Sequence, residues 1–185
     1  MKEKHYTLTY PWDENGYKPE VDFTLGVNDK GFTMHIVTKE SNPRREETRQ
    51  LNYVHFDSCV EWFVNFMPEK CDRYFNFEMN ANGVVYVAFR KDRYDFKLLD
   101  LEDVEALGIK AVINDDSWEL FYTVPFTMIE KYIPGYEFKE GMTIRANFYK
   151  CGEKTEFSHF GLWKETHTEK PDFHRPECFG EIVLD

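Results

Sequence analysis

The sequence predicts an all-β protein, an antiparallel β-sandwich of the jelly-roll type with one short helix. Many short segments alternate apolar and polar residues at the two-residue period of a strand. Turn-forming residues separate these segments. Aromatic residues make up 17% of the 185 residues, which is far above the content of chains that lack a packed core. Short strands joined by turns are typical of two sheets packed face to face.

The first half of the chain contains four predicted strands. They cover residues 32–37, 60–66, 73–79 and 84–89. The charged segment 41–49 contains Pro43 and predicts a loop. Residues 80–83, with the sequence Asn-Ala-Asn-Gly, predict a tight hairpin turn because Asn and Gly tolerate positive φ.

The second half adds the predicted helix and the remaining strands. Residues 111–114 and 118–124 predict a hairpin, and 142–149, 156–162 and 181–184 predict further strands. The helix is predicted over 125–132, since Pro is tolerated in a first turn and Phe126, Ile129 and Tyr132 share one face. No repeat or linker interrupts the pattern, so we expect residues 1–185 to form a single domain.

The net charge and the hydropathy of the chain argue against two classes of partner. The formal net charge is −11, whereas a nucleic-acid binder must neutralise phosphates with Lys and Arg. No segment approaches the roughly 20 apolar residues of a membrane span. We therefore expect neither nucleic acid nor a membrane as partner.

The N-terminus and the cysteines bear on the compartment. The first residues are charged and lack the apolar segment of a signal peptide, which predicts a cytoplasmic protein, or a secreted one if an export signal has been removed. Four cysteines, at positions 59, 71, 151 and 178, show no paired spacing, so we expect free thiols. Cys59 lies in an apolar strand and is predicted to be buried.

Two regions place polar side chains beside aromatic ones on predicted strands. The first comprises residues 57–63 (DSCVEWF) and 74–83 (YFNFEMNANG); the second comprises 145–150 (RANFYK), Trp163 and 173–180 (FHRPECFG). Flat apolar rings suit the C–H faces of a sugar, and forked donors and acceptors suit its hydroxyl groups. The pattern therefore favours a carbohydrate ligand.

The order of these segments, from about residue 20 to the end, resembles the family 9-like carbohydrate-binding modules, relatives of domains attached to xylanases. The resemblance implies a β-sandwich that binds a mono- or oligosaccharide without changing it. It implies a plant-type glucan or xylan sugar, or its chain end, as ligand and a role in carbohydrate catabolism. A scaffold domain that has lost sugar binding is an alternative.

The resemblance and the strand pattern together select aromatic candidates for ligand binding. Trp163 lies at a strand end, where family members carry a ligand-stacking Trp; a Trp that caps the core is the alternative. Family members carry a second Trp where this chain has Tyr53 and His55, and either residue is a candidate substitute. Trp62 and Trp118 are expected in the core.

Three polar residues complete the predicted site. Glu61 points away from its apolar neighbours and matches a family ligand contact, with an ion pair to Arg90 or Arg145 as the alternative. Arg90 and Asn147 offer several donors in fixed geometry. A structural cross-strand hydrogen bond is the alternative for Asn147.

Two further hypotheses concern carboxylates. Asp57 is a candidate ligand of a structural Ca²⁺, or it caps a turn. Glu61 and Glu78 are candidates for the paired carboxylates of a glycoside hydrolase, which lie about 5–5.5 Å or 6.5–9.5 Å apart. The sequence contains no Gly-x-Ser-x-Gly, no His-Glu-x-x-His and no phosphate-binding loop that would support an enzymatic function.

Overall fold

The computed structural model describes residues 2–185, which fold into two antiparallel β-sheets packed face to face. The strands are β1 (Lys4–Thr7), β2 (Glu20–Val27), β3 (Gly31–Lys39), β4 (Cys59–Asn65), β5 (Tyr74–Asn80), β6 (Val85–Arg90), β7 (Phe96–Leu98), β8 (Lys110–Ile113), β9 (Trp118–Pro125), β10 (Thr143–Gly152), β11 (His159–Leu162) and β12 (Gly180–Val183). Two short helices, α1 (Leu101–Ala106) and α2 (Phe126–Tyr132), and a 3₁₀ turn at Pro176–Cys178 complete the described chain.

The two sheets differ in size. The five-stranded sheet has the order β1-β2-β3-β9-β8, and the seven-stranded sheet has the order β11-β10-β4-β5-β6-β7, with β12 also paired to β10. Every strand pair is antiparallel. The predicted antiparallel β-sandwich is therefore confirmed.

The main core fills the space between the sheets with aromatic side chains. Trp62 on β4 stacks on Phe77 of β5 and Phe148 of β10, with ring centroids 5.7 Å and 6.3 Å apart. Trp62 and Trp118 are fully buried, as expected from their strand positions. Alternation along each strand directs these rings inward, because successive side chains point to opposite faces.

A second hydrophobic layer covers the outer face of the seven-stranded sheet. Phe63 on β4, Tyr149 on β10 and Phe173 of the C-terminal segment belong to this layer. The C-terminal segment lies across the sheet, with the Tyr149 and Phe173 rings stacked 4.2 Å apart. Every residue of β5 and β6 is consequently buried, because both faces of these strands are covered.

The predicted hairpin turn and helix are present, and one additional helix occurs. Gly83 has φ +76°, in the left-handed region that the Asn-Gly turn requires. Helix α2 begins one residue after the predicted start. Helix α1 was not predicted because it has only six residues, which are held by a capping box between Asp100 and Asp103.

Strands β1, β2 and β7 also lie outside the predicted set. Strand β2 does alternate, with Val21, Phe23 and Leu25 directed into the core, so it could have been predicted from the sequence. Strand β7 is a three-residue edge strand with no buried residue, and only its pairing with β6 defines it. Neither helix within residues 2–185 has the length and apolar character needed to cross a bilayer.

Candidate functional site

A cleft of about 310 Å³ opens on the outer face of the seven-stranded sheet. This volume is near the lower end of ligand sites, which run from about 300 to 1,000 Å³. Strands β4, β5, β6 and β10 form its floor, and the loop before β4, the loop after β6 and the C-terminal segment form its walls. The lining residues are Tyr53, His55, Glu61, Glu78, Tyr86, Arg90, Arg93, Phe96, Cys151, Glu153, Phe160, Pro171, Phe173 and His174.

Two acidic side chains lie side by side on the floor of the cleft. Glu61 on β4 is the register partner of Glu78 on β5, which in turn is the partner of Tyr86 on β6. Directly opposed side chains on one face have Cβ atoms about 4.5–5.5 Å apart. Glu61 is 3% exposed and Glu78 is 6% exposed. The floor therefore presents two neighbouring carboxyl groups that are almost removed from solvent.

Burial changes the protonation of both acids. It raises the pKa of Glu78 to about 7, although the nearby Arg90 and a hydrogen bond from Asn76 favour the ionised form. Burial also raises the pKa of Glu61 well above its ordinary value, and the neighbouring Cys151 and Glu78 act in the same direction. At neutral pH the pair holds at least part of its protons and can both donate and accept hydrogen bonds.

The environment of Glu61 differs from the ion pair considered as an alternative. Within residues 2–185 its carboxylate has one hydrogen bond, from Cys151 Sγ to Oε1 at 3.1 Å, and no salt bridge. Arg145 instead donates to the carbonyl groups of Glu177 and Phe179. The side chain of Glu61 thus points into the cleft with acceptor capacity to spare.

The guanidinium group of Arg90 is held rigidly at the cleft wall. Its Nε donates to Asn76 Oδ1 at 2.8 Å, and Nη1 donates to the carbonyl of Arg93 at 3.2 Å. It also lies 4.6 Å from the centroid of the Phe96 ring. A planar donor fixed in this way keeps its orientation before a ligand arrives.

Aromatic rings flank these polar groups. Tyr53 is 55% exposed and stacks on Tyr86, with ring centroids 5.5 Å apart. His55 lies beside Tyr53, and burial lowers its pKa. His174 is hydrogen-bonded to Tyr74 Oη at 2.8 Å, and burial lowers the pKa of His174 to about 3, so the ring is neutral. The cleft therefore combines an exposed aromatic platform with a polar floor.

A family model, carbohydrate-binding family 9, matches residues 4–184 of this sequence. The chain belongs to carbohydrate-binding family 9. The resemblance seen in the sequence is thereby confirmed over nearly the whole chain. No curated protein matches the chain in sequence.

Solved structures share the fold of this family 9 domain. A candidate carbohydrate-binding protein from Bacteroides uniformis superposes with a TM-score of 0.85 and 28% identity, over 99% of this chain and 87% of that chain. A family 9 module from Caldicellulosiruptor kristjanssonii in complex with cellotriose has a TM-score of 0.67 and 11% identity, covering 98% and 82% of the two chains. The complex of a family 9 module from the same organism with glucose gives 0.64 and 11%, covering 97% and 84%.

Of the predicted site residues in this family 9 domain, the structure brings four together. Glu61, Arg90, Tyr53 and His55 all line the cleft. Glu78, considered only as a catalytic partner, joins them on the floor.

Trp163 is not brought to the cleft. Its ring packs against Phe148 and Tyr6, with centroids 5.6 Å and 4.8 Å away, and it lies over Gly180. A Cβ atom at Gly180 would approach Trp163 Cζ3 to 2.6 Å, which leaves no room for a side chain there. Trp163 therefore has the alternative role considered for it, that of a Trp at the margin of the core.

Asn147 also takes the structural role that was its alternative. It is fully buried, its Nδ2 donates to the carbonyl of Lys164 at 2.8 Å, and the backbone N–H of Lys164 donates to its Oδ1 at 2.9 Å. The amide thereby holds β10 to the chain that follows β11, and both of its polar ends are occupied by backbone groups.

The surroundings of Asp57 do not suit the predicted role of a Ca²⁺ ligand. Its Oδ2 accepts hydrogen bonds from the backbone N–H of Glu47 and from Asn80 Nδ2, both at 2.9 Å, and its Oδ1 lies 3.5 Å from Arg44 Nη1. A cationic guanidinium next to the carboxylate opposes a divalent ion, whose ligands must be free oxygens. Asp57 instead ties the loop before β4 to the end of β5, a structural role different from the turn cap that was its alternative.

Sequence reasoning missed much of the cleft wall. Tyr86, Arg93, Phe96, Glu153, Phe160, Phe173 and His174 were not selected as site residues. They come from separate strands and loops that meet only after the C-terminal segment folds across the sheet. The alternation in β6 placed Tyr86 on the same face as Arg90, and this was the one available indication.

Proposed function

We propose that the cleft binds a neutral carbohydrate, a glucan- or xylan-type mono- or oligosaccharide, without altering it chemically. The observation that carries the proposal is the polar floor beside an exposed aromatic platform in a member of carbohydrate-binding family 9. The family 9 structures in complex with cellotriose and with glucose support a gluco-configured ligand.

The chemistry of the cleft suits sugar hydroxyl groups. Arg90 supplies fixed N–H donors, and Glu61 and Glu78 supply oxygens that can accept or, when protonated, donate. Tyr53 offers a ring face to the C–H surface of a pyranose, supported from behind by Tyr86. Since these groups are arranged before binding, little conformational entropy is lost when the ligand enters.

The size of the cleft supports a short ligand. A volume of about 310 Å³ accommodates about one or two sugar rings. The floor is closed by the sheet, and walls rise on several sides. We therefore propose that the domain holds a chain end or a short oligosaccharide, with the rest of any longer polymer outside the cleft.

A glycan array followed by calorimetric titration with glucose, cellobiose, cellotriose and xylobiose tests this proposal. The Tyr53→Ala and Arg90→Gln variants should each weaken binding of the best ligand by about tenfold or more. Tyr94→Ala is the matched control, because Tyr94 is 86% exposed but does not line the cleft. Absence of any glycan ligand, or equal affinity in Tyr53→Ala, Arg90→Gln and the parent, would contradict the proposal.

One observation favours a second function, glycoside hydrolysis. Glu61 and Glu78 face the same cleft from adjacent strands, and the raised pKa of Glu78 suits a general acid. This alternative predicts release of reducing sugar from xylan, cellulose or aryl glycosides, and loss of that release in Glu61→Gln and Glu78→Gln. If all these substrates stay intact after prolonged incubation with the parent protein, glycoside hydrolysis is excluded.

A further inference from the structure

Two cysteines and a glutamate converge beneath the cleft. Cys59 on β4 and Cys151 on β10 are register partners, so their side chains lie opposite each other on the same face of the sheet. Their sulfur atoms and a carboxylate oxygen of Glu61 all lie within 4.8 Å of one another. The sequence offered no reason to pair these two cysteines, since they are far apart along the chain.

The partners of Glu61 leave its carboxyl group poorly satisfied. Its one hydrogen bond within the described chain comes from the Cys151 thiol, which is a weak donor. A buried carboxyl group normally has several strong partners, because removing it from water is costly. A ligand that supplies positive charge at this point would satisfy the group.

The cluster has the chemistry and dimensions of a site for a thiophilic metal. Thiolate sulfur and carboxylate oxygen are ordinary ligands of Zn²⁺, with Zn–S distances of about 2.3 Å and Zn–O distances of about 2.0–2.2 Å. In a tetrahedral site these distances place neighbouring ligand atoms roughly 3.4–3.8 Å apart. Cys151 Sγ lies 3.1 Å from Glu61 Oε1, and all three ligand atoms lie within 4.8 Å of one another, so side-chain rotations would bring them to these separations.

We propose that Cys59, Cys151 and Glu61 bind a thiophilic divalent cation such as Zn²⁺ at the floor of the cleft. Cys59 is fully buried and closes the site from below. Cys151 and Glu61 line the cleft, which provides the path of entry and leaves a fourth coordination position facing it. Water or a ligand oxygen would occupy that position, as in zinc sites with three protein ligands.

Binding at this site exchanges protons for the metal. The thiol protons of both cysteines, and the carboxyl proton of Glu61 where it is present, pass to the buffer as the metal–ligand bonds form, and no redox change is involved. The affinity should therefore fall as the pH is lowered. This inference does not depend on sugar binding, because the three ligands and the entry path exist whatever occupies the cleft above them.

Titration of the reduced protein with Cd²⁺, followed by the ultraviolet thiolate-to-metal charge-transfer band, tests the proposal. We expect saturation at one equivalent in the parent protein. The Cys71→Ser/Cys178→Ser double variant is the matched control and should retain the band, because Cys71 and Cys178 lie outside the cluster and contact the backbone of Arg73 and Thr166. The Cys59→Ser/Cys151→Ser double variant should lose the band.

Calorimetric titration with Zn²⁺ should show at least about a tenfold loss of affinity in Glu61→Gln. Loss of a residue that only hydrogen-bonds to a metal ligand already lowers metal affinity by about that factor, and loss of a ligand itself should cost no less. X-ray absorption of the zinc-loaded parent should show two sulfur scatterers at about 2.3 Å and lighter atoms in the remaining positions. This measurement decides the matter even if the cysteine variant does not fold. The proposal is overturned if the parent shows no stoichiometric band, if the band survives in Cys59→Ser/Cys151→Ser, or if zinc has no sulfur neighbours.

Discussion

Glu61 and Glu78 are register partners on adjacent strands, and both carboxyl groups face the cleft. Two acids so close together, with most of their surface removed from water, cannot both ionise without cost. The charge on the floor of the cleft therefore depends on how many protons these two carboxyl groups hold. It also couples the protonation of the cleft to the stability of the fold.

Replacement of Glu78 by Gln should change the dependence of stability on pH. The pKa of Glu78 is raised from an ordinary value of 4.5 to about 7, so the folded protein binds this proton more tightly than the unfolded chain does. The free energy of unfolding of the parent therefore decreases as the pH rises through this window and levels off above it. The full difference is about 3 kcal/mol for this group, and Glu78→Gln should remove it.

Urea unfolding at about pH 5 and about pH 8 measures this effect. Glu78→Gln should gain stability relative to the parent at the higher pH. Glu137→Gln is the control, since the Glu137 side chain is 74% exposed. Equal pH slopes in the parent and in Glu78→Gln would show that Glu78 ionises as freely in the folded protein as in the unfolded chain.

Trp163→Ala should reduce stability and leave sugar affinity unchanged. The ring packs on Phe148 and Tyr6 at the margin of the core, and its removal should cost about 3 kcal/mol of unfolding free energy. Because the ring does not line the cleft, the affinity for the best glycan should remain within about twofold of the parent value. Loss of affinity with the fold intact by circular dichroism would instead support a stacking role for Trp163.

Gly180 and Trp163 should be energetically coupled. A Cβ atom at Gly180 would lie 2.6 Å from the Trp163 ring, so Gly180→Ala should cost about 1–3 kcal/mol. In the Trp163→Ala background the added methyl group has space, and the cost of Gly180→Ala should largely disappear. A double-mutant cycle by urea unfolding measures this coupling, and additive free energies would contradict it.

Asn147→Ala should destabilise the fold by about 2–3 kcal/mol, because the N–H and carbonyl groups of Lys164 lose their partner. Asn114→Ala is a suitable control, since Asn114 is exposed. Thermal and urea unfolding of both variants measure the difference. A similar, small loss in both would mean that water replaces the Asn147 amide.

Asp57→Ala should destabilise the protein by about 3 kcal/mol, since the backbone N–H of Glu47 and Nδ2 of Asn80 lose their acceptor. Of its two ion-pair partners in the described chain, Arg44 then keeps only the exposed Glu46. Because the carboxylate is already occupied, added Ca²⁺ should leave the melting temperature of the metal-free parent unchanged. Differential scanning calorimetry with and without Ca²⁺ tests this. A rise in melting temperature with Ca²⁺ that is lost in Asp57→Ala would restore the calcium hypothesis.

Local patterns in the sequence determined much of the fold. Alternation in β4 placed Trp62 inside and Glu61 on the opposite face. The turn at Asn82-Gly83 was likewise predictable without knowledge of the partner strands. These features depend on the period of a strand and on backbone sterics, which act within a few residues. The order of the motifs likewise identified the family.

The tertiary structure alone decided which side chains share the cleft. Trp163 and Tyr53 are both aromatic residues next to polar segments, and no local pattern tells which of them packs on the core and which lines the cleft. The outcome depends on how the C-terminal segment lies over the outer face of the seven-stranded sheet, as the Tyr149–Phe173 stack shows. The approach of Cys59 to Cys151 is of the same kind, because strand register joins residues that are distant along the chain.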